Sequence, residues 1–334
     1  MATKLALVTG GNGFVGCHVV RALIARGDRV RALVRENADL SALASLNVEI
    51  VRGDLRYFDS VERAVAGCAE VYHVAADYRL WLTDPAPMYA TNVEGTRHVL
   101  RAAANAGASR IIHTSTVGAL GIPHNGVGRE DTPSSFAEMT GHYKRSKYMA
   151  EQAALEAARA GAPVVIVNPS TPIGALDFKP TPTGRIIVAF LNRGMPAYVD
   201  TGLNIVDVED VARGHLLAAE RGRVGERYIL GGENLTLKEL LGRLAAISGL
   251  PGPKMRIPYA VAFGFALGAE AVARTVTRRA PRASLTEVRM ARKRMFFDSS
   301  KARAELGYSP GPIDAALTAA IEFFRSTGSA KSAA

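Results

Sequence analysis

The first half of the chain alternates between short apolar runs and segments of helical periodicity. Apolar runs of strand length occupy residues 5–8, 29–34, 48–51, 71–76, 110–113 and 164–167. The segment 17–26 carries Val19, Val20, Leu23 and Ile24 on one side of a helix. Strands that alternate with helices predict a parallel sheet covered on both faces. The pattern therefore predicts an α/β protein.

The alternation becomes irregular after residue 170. Three prolines between residues 172 and 182 interrupt the chain, and later strand and helix signals no longer follow one another regularly. We therefore predict a first domain over residues 1–170, to which residues 204–231 return. A smaller, discontinuous C-terminal lobe within 171–330 is expected to hold the substrate pocket.

A glycine-rich loop joins the first predicted strand to the first helix. Gly10, Gly13 and Gly16 stand three residues apart, with Phe14 and Val15 between the last two. Glycines at this spacing permit a tight turn, let the backbone approach a pyrophosphate, and bring helix and strand close together. The helix N-terminus then offers free N–H groups to phosphate oxygens. Strand, loop and helix in this order predict a dinucleotide site in a Rossmann-type, doubly wound parallel sheet.

Arg35 follows the second predicted strand. An acidic residue at this position binds the ribose 2′-hydroxyl of NAD, whereas an arginine accommodates the 2′-phosphate of NADP. Arg35 therefore predicts a preference for NADP(H). NAD(H) stays open as the alternative, because Arg35 could be a solvated surface residue and because Glu36 and Asp39 lie close by in the sequence.

Polar and small residues mark the ends of the third and fourth predicted strands. Asp54 and Leu55 follow the strand at 48–51, and Ala75 and Ala76 end the next strand. Ligands of open α/β sheets bind at the carboxyl ends of the strands. Asp54 is thus a candidate partner of the adenine amino group, and the two alanines leave room for the cofactor.

Tyr143 and Lys147 are the clearest candidates for catalysis. Their spacing of four residues places a phenol and an ammonium about one turn apart on one helix face. A nearby cation favours the ionised form of a phenol, so the pair can donate and accept a proton. Ser115 and Thr116 follow the fifth strand and can hydrogen-bond a substrate oxygen, although hydroxyls at strand ends are also common caps. Asn92 opens another helical segment, where the role of an N-cap or of an early helix residue is the alternative.

These motifs resemble the extended short-chain dehydrogenase/reductase family, of the NAD-dependent epimerase/dehydratase type. The resemblance covers nearly the whole chain. Residues 9–16 match the cofactor loop of that family, and the run from Tyr143 to Lys147 matches its Tyr-x-x-x-Lys motif. By this resemblance Tyr143 is the general acid/base, and Lys147 lowers the pKa of Tyr143 and holds the nicotinamide ribose.

The same resemblance assigns roles to four further residues. Thr116, with Ser115 beside it, would polarise the substrate oxygen. Asn92 would support a proton-relay water. Asn168 would lie in a turn on the nicotinamide side of the cofactor.

Within that family the chain is most similar to hopanoid-associated sugar epimerases and to dihydroflavonol-reductase-like proteins. This similarity is carried by residues 73–81, 168–174, 179–186 and 196–204. It implies a sugar-derived or lipid-linked substrate and a place in hopanoid, that is triterpenoid, biosynthesis. Nucleotide-sugar epimerases usually have an Arg-Asp pair where this chain has Leu203 and Asn204. The missing charge argues against a nucleoside-diphosphate sugar, although Arg185 or Arg193 could replace it.

The formal net charge of +10 on 334 residues is unevenly distributed. Eight basic residues follow the apolar stretch 259–269: Arg274, Arg278, Arg279, Arg282, Arg289, Arg292, Lys293 and Arg294. A solvated basic face around a core helix is the first interpretation, and a membrane-surface helix with a basic flank is the second. The stretch is shorter than the ~20 residues that span a bilayer. Nucleic-acid binding is not expected, because no recognition motif accompanies the arginines.

Cysteine usage and the chain start bear on the compartment. Cys17 and Cys68 form no metal-ligand cluster and are expected to be reduced thiols. The first strand follows residues 1–4 without the apolar stretch of a signal peptide. We therefore expect a cytoplasmic enzyme without a bound metal. Peripheral contact with the inner face of the membrane through 259–294, and a homodimer, stay open.

The sequence thus predicts an NADP-preferring oxidoreductase that moves a hydride between nicotinamide and a carbonyl or secondary alcohol. Net reduction of a sugar-derived or lipid-linked carbonyl is the first expectation, because Arg35 favours a cofactor that is exchanged in each turnover. Epimerisation through a transient keto intermediate, with NAD retained, is the alternative. A non-catalytic cofactor-binding protein is a third hypothesis, and the presence of both Tyr143 and Lys147 argues against it.

Overall fold

A computed structural model describes residues 4–123, 126–278, 281 and 284–330 of the chain. Residues 1–3, and Arg279 and Arg282 of the basic cluster, lie outside the described residues. The strands are β1 (Leu5–Thr9), β2 (Arg29–Val34), β3 (Val48–Arg52), β4 (Glu70–His73), β5 (Arg110–Thr114), β6 (Val164–Pro169), β7 (Thr171–Ile173), β8 (Ala197–Val199), β9 (Gly202–Asp207), β10 (Arg227–Leu230), β11 (Glu233–Thr236) and β12 (Met255–Ile257). The helices are α1 (Phe14–Arg26), α2 (Phe58–Val65), α3 (Ala86–Tyr89), α4 (Gly95–Asn105), α5 (Gly141–Arg159), α6 (Pro182–Leu191), α7 (Val208–Arg221), α8 (Leu237–Ser248), α9 (Tyr259–Val272), α10 (Leu285–Met290), α11 (Ser300–Leu306) and α12 (Ile313–Ser326).

The central sheet has seven strands in the order β10-β6-β5-β4-β1-β2-β3. Every neighbouring pair in it is parallel. The chain runs outward from β1 to β3 and then crosses to β4 on the other side of β1. Such a reversal opens a crevice at the carboxyl ends of the strands, where ligands of doubly wound sheets bind. The α/β prediction from the sequence is confirmed.

Alternating side chains of the sheet enter two separate hydrophobic cores. In β1, Ala6 and Val8 pack with Leu23 of α1, whereas Leu7 packs on the other face with Val99 of α4 and Ile111 of β5. All of these side chains are fully buried. Burial on both faces explains why the strands have apolar runs without polar alternation.

The helix that carries Tyr143 begins earlier than its apolar pattern indicates. Alanine-rich periodicity starts at Tyr148, but α5 begins at Gly141, so Tyr143 and Lys147 lie in its first two turns. The early turns are polar because they face the carboxyl edge of the sheet rather than a hydrophobic core. Conversely, β4 ends at His73, before the alanines that the pattern includes in this strand.

The second half of the chain forms two small sheets and a third hydrophobic core. β9 pairs in parallel with β7 and antiparallel with β11, and β8 pairs with β12. Helices α6, α8 and α12 pack around this part through side chains such as Ile187, Leu241 and Leu317. Within 204–231, β10 joins the central sheet and α7 packs on it, while β9 belongs to the smaller sheet. In the described part of the chain, no helix has the length and apolar character needed to cross a membrane.

Candidate active site

The loop after β1 approaches other backbone so closely that two of its positions require glycine. Gly10 has φ of +68°, and a Cβ there would lie 2.7 Å from the Cα of Ala75. A Cβ on Gly16 would lie 2.1 Å from the carbonyl oxygen of Gly10. Helix α1 starts after Gly13 without a side-chain cap and without an acidic residue in its first turn. Its first N–H groups are therefore available to a pyrophosphate.

Gly16→Ala should weaken NADPH binding and lower the free energy of unfolding by about 1–3 kcal/mol, because the new methyl group meets a backbone oxygen that cannot rotate away. Fluorescence titration of the cofactor and denaturant unfolding measure the two effects. The matched control is Gly242→Ala, at an exposed position of α8 with open space around it. That control should raise the unfolding free energy by up to ~1 kcal/mol and leave cofactor affinity unchanged. Equal behaviour of the two variants would contradict the close approach at Gly16.

Arginines gather where β2 and β3 end. Arg35 is exposed directly after β2. Arg52, at the end of β3, donates to the carbonyl oxygen of Arg35 at 2.9 Å. Arg56 holds the carboxylate of Asp54 through Nη2 at 2.7 Å and Nε at 3.0 Å. These bonds lower the pKa of Asp54. The sequence motifs did not single out Arg52 and Arg56, which make this corner more basic than Arg35 alone indicates.

Thr116, in the loop after β5, stands close enough to the Tyr143 hydroxyl to lower the pKa of that residue by hydrogen bonding. Thr116 Oγ1 already accepts from the Gly118 N–H at 3.1 Å, so its own proton is free for the phenol oxygen. Burial raises the pKa of Tyr143 to about 12, and the bond from Thr116 acts in the opposite direction. Tyr143 is therefore protonated at neutral pH, the form that can donate a proton.

Lys147 lies one turn further along α5 and is buried. Its Nζ donates to the carbonyl oxygen of Thr114 at 2.6 Å. Burial lowers the pKa of Lys147 to about 8, and the Glu151 carboxylate one turn away acts in the opposite direction. The ammonium is thus anchored by a backbone acceptor at the end of β5. Burial is the largest influence on the pKa of Tyr143 and raises it, and the lowering by Lys147 that the family resemblance implies stays a prediction.

Asn92 lies in a π-helical turn, Ala90–Glu94, and all its polar hydrogens have partners. Its Oδ1 accepts from the backbone N–H of Asp77 at 2.7 Å. Its Nδ2 donates to the Asp77 carbonyl at 2.8 Å and to Ser146 Oγ at 2.9 Å. Because Ser146 stands between Tyr143 and Lys147, Asn92 ties the loop after β4 to the catalytic helix. Asn92 is not an N-cap, but it lies in the helical turn that leads into α4, as the early-helix alternative describes.

A buried polar chain supports the Thr116 loop from below. Asn168 at the end of β6 donates from Nδ2 to the Thr116 carbonyl at 3.1 Å and to Glu151 Oε2 at 2.7 Å. Glu151 Oε1 in turn accepts from Arg227 of β10 at 3.3 Å. Glu151 and Arg227 were missed in the sequence, where a glutamate four residues after Lys147 was the available signal. Among the described residues, Asn168 Oδ1 and Ser115 Oγ are buried without a hydrogen-bond partner.

The second half of the chain contacts this site through Tyr78. Tyr78, in the loop after β4, is close enough to Tyr143 to raise the pKa of that residue further. The Asp177 carboxylate raises the pKa of Tyr78, whereas the Arg185 guanidinium lowers it. The Tyr78 hydroxyl also donates to the carbonyl oxygen of Lys179 at 3.4 Å. The segment around residues 177–185 therefore lies beside Tyr78.

Known proteins share this fold and this length of chain. Residues 6–231 match the NAD dependent epimerase/dehydratase family. A putative dihydroflavonol 4-reductase of Synechocystis sp. is 46% identical over 329 residues, which cover 97% of this chain and 95% of that protein. Sterol demethylase protein B of Methylococcus capsulatus is 38% identical, and the match covers 96% of this chain and 98% of that protein. The crystal structure of gox2253 superposes with a TM-score of 0.88 at 47% identity, covering 98% of this chain and 100% of that one. The chain therefore belongs to the NAD dependent epimerase/dehydratase family, whose members act on CH–OH or carbonyl groups.

Proposed function

We propose that the protein is an NADP-preferring reductase that converts a carbonyl of a sugar-derived or lipid-linked substrate into a secondary alcohol. The observation that carries this proposal is the position of Tyr143 on α5, one turn from the buried Lys147, whose Nζ donates to the Thr114 carbonyl oxygen at 2.6 Å. A protonated phenol is the form that reduction consumes and that oxidation would first have to deprotonate. Because the pKa of Tyr143 lies well above neutral pH, the resting enzyme holds the proton that reduction consumes.

The dinucleotide fits along the carboxyl edge of the central sheet. The free N–H groups at the start of α1 and the side-chain-free cradle of Gly10 and Gly16 suit a pyrophosphate. When bound, the cofactor supplies the hydride. The residues that would hold it are Gly10, Gly13, Phe14, Val15, Gly16, Arg35, Asp54, Leu55, Ala75, Ala76, Tyr143, Lys147 and Asn168.

The chain's own residues handle the proton. Tyr143 donates its hydroxyl proton to the substrate oxygen as that oxygen gains negative charge, and Thr116 stabilises the resulting phenolate through its free hydroxyl hydrogen. Ser115, buried and unpartnered among the described residues, offers a second hydroxyl at the same strand end. Lys147 stabilises the phenolate from one turn away. Asn92 holds this helix in place, and a lone pair of its Oδ1 is left for a relay water.

The surroundings of Asn204 and Arg185 argue against a nucleoside-diphosphate sugar. Asn204 is buried and donates to Asn234 at 2.7 Å and to the Phe297 carbonyl at 3.2 Å, so it is a structural tie. Arg185 is engaged by Glu287 at 3.3 Å. The name of the Methylococcus relative connects that protein with sterols. For this chain we propose a polycyclic lipid of hopanoid type, held by the lobe within 171–330.

Cofactor exchange distinguishes the reductase from the epimerase that the family also contains. Purified enzyme is incubated with NADPH or NADH and a panel of sugar-derived and lipid-linked carbonyls, and cofactor oxidation is followed by absorbance. A reductase consumes cofactor in proportion to product and is isolated largely without it. An enzyme that retains NAD stoichiometrically and consumes no NADPH with any carbonyl would refute the proposal in favour of epimerisation.

Arg35→Ala should lower kcat/KM for NADPH by roughly tenfold to a hundredfold, because a charge-assisted hydrogen bond to the 2′-phosphate contributes about 1.5–3 kcal/mol. The same variant should leave kcat/KM for NADH within a factor of two or so, since NADH has no 2′-phosphate. Steady-state kinetics with each cofactor gives both numbers. Arg29→Ala, at the exposed start of the same strand, is the control for lost charge. A uniform loss with both cofactors would count against the 2′-phosphate role.

A further inference from the structure

Helix α9 has the reverse polarity of an ordinary surface helix. Val261, Phe265 and Val272 are 60%, 60% and 51% exposed, and with Gly268 they follow the four-three-four spacing of one helix face. Leu267 beside them is 53% exposed. A helix in contact with water normally turns its charged side chains outward and its apolar side chains inward. This face has no charged residue.

Interactions on the buried side fix the orientation of α9. The one charged residue of the helix, Glu270, points inward and is 8% exposed. Its carboxylate accepts from Arg274 at 2.6 Å and from the backbone N–H of Leu285, at the start of α10, at 3.0 Å. If α9 rotated to turn its apolar face inward, the Glu270 carboxylate would become exposed and its contact with α10 would be broken. The apolar face therefore stays on the outside.

Basic side chains lie next to α9, where Arg289 and Arg292 line a cleft with Tyr259 and Phe263. Among the described residues between 255 and 296, seven are basic and only Glu270 and Glu287 are acidic. Arg289, Arg292 and Lys293 are exposed, and none has an acidic partner within 4.0 Å in the described part of the chain. A two-fold dimer through this face would place equal positive charges opposite each other. An anionic lipid surface, in contrast, complements both the charge and the apolar face.

We propose that α9 binds the interfacial layer of a membrane that contains anionic lipids. The apolar face lies at the boundary between headgroups and acyl chains, with Phe265 as its largest side chain. Arg278, Arg289, Arg292 and Lys293 contact lipid phosphates at the rim. This attachment is peripheral, since α9 has 14 residues and a bilayer span needs ~20.

Helix α9, the proposed docking helix, lies beside the start of α5, the helix that carries Tyr143. A cleft of ≈ 450 Å³ is lined by Thr140, Tyr259, Phe263, Arg289 and Arg292, and thus joins α9 and α10 to the start of α5. Thr286 of α10 packs against Gly141, two residues before Tyr143. Membrane docking would bring this cleft to the lipid surface. The inference that a lipid-linked substrate reaches Tyr143 through this cleft rests on the proposed function. The inference that α9 docks on a membrane does not rest on it.

Vesicle flotation of the full chain tests the docking without any substrate. Wild-type protein should float with vesicles of phosphatidylcholine and phosphatidylglycerol, and should bind pure phosphatidylcholine much more weakly. Phe265→Asp should weaken binding to the mixed vesicles by roughly tenfold or more, because the phenyl group that the lipid would bury is lost. Arg278→Ser and Lys293→Ser should each weaken it about fivefold. Val224→Asp, at a 46% exposed apolar position between α7 and β10, should bind like wild type.

Two results would overturn the proposal. One is equal vesicle binding by wild type and Phe265→Asp, or no binding by either. The other is a wild-type dimer in light scattering that Phe265→Asp converts to monomer, which would assign the face to a second copy of the chain. NADPH oxidation by Phe265→Asp with a water-soluble carbonyl should equal that of wild type. Failure of docking is therefore read from vesicles, and failure of the proposed function from cofactor consumption.

Discussion

Tyr143→Phe should lower kcat for carbonyl reduction by about a hundredfold to ten-thousandfold, the range usual for loss of a general acid. The substitution removes only the hydroxyl and leaves the ring in its half-buried place on α5. NADPH affinity should change little, because Lys147 and the glycine loop are untouched. Single-turnover kinetics and cofactor titration separate the two quantities.

Tyr148→Phe is the matched control on the same helix. Its hydroxyl is at the limit of hydrogen-bonding distance, 3.5 Å from the Ser134 carbonyl, and lies outside the site. This variant should keep kcat near the wild-type value. If Tyr143→Phe retained activity equal to that of Tyr148→Phe, the acid/base assignment of Tyr143 would be wrong.

Glu151→Leu should lower the free energy of unfolding by about 3 kcal/mol, because breaking a buried ion pair leaves its partners uncompensated. Glu151 is fully buried and accepts from both Arg227 and Asn168. Leucine fills the space but leaves the Arg227 guanidinium and one Asn168 N–H without their acceptor. Denaturant unfolding measures the loss. Glu156→Leu, at an exposed position of the same helix, should change stability by no more than ~0.5 kcal/mol.

Glu151→Gln tests whether this carboxylate also tunes Lys147. The pKa of Lys147 is about 8 with the carboxylate present, and the carboxylate favours the charged ammonium. Lys147 is protonated below its pKa and neutral above it, so cofactor capture should weaken as the pH rises through this value. Removing the negative charge lowers the pKa of Lys147 further. The falling limb of kcat/KM for NADPH should therefore move to lower pH, whereas a purely structural Glu151 would leave it in place.

Local patterns in the sequence were sufficient for the central sheet and the catalytic pair. Each buried strand needs an apolar run, and each close backbone approach needs a glycine, so β1, α1 and the loop at Gly10 leave direct traces. Tyr143 and Lys147 depend on a spacing within one helix, which is also local. The strand ends could be assigned to one edge because parallel strands finish together.

The rest of the site depends on contacts that leave no local trace. The acceptor of Lys147 is a backbone carbonyl, which every residue possesses. The chain from Arg227 through Glu151 to Asn168 joins three elements far apart in sequence, and only the packed fold reveals it. Residues 204–231 were expected to return to the first domain; of these, β10 joins the central sheet, whereas β9 pairs with β7 and β11. The outward apolar face of α9 was undetermined because helical periodicity does not state which side meets the core.

The hydrogen bonds of the Asn92 side chain bear on how the enzyme would select its substrate. Three hydrogen bonds fasten the loop that carries Asp77 and Tyr78 to the turn of α5 that carries Tyr143. The loop with Tyr78 and the helix turn with Tyr143 are therefore joined directly, and we expect a substrate that displaces this loop to displace the acid as well. We expect the geometry for proton transfer to be set before the carbonyl arrives, so that a molecule of the wrong shape is rejected on entry rather than after a closing movement.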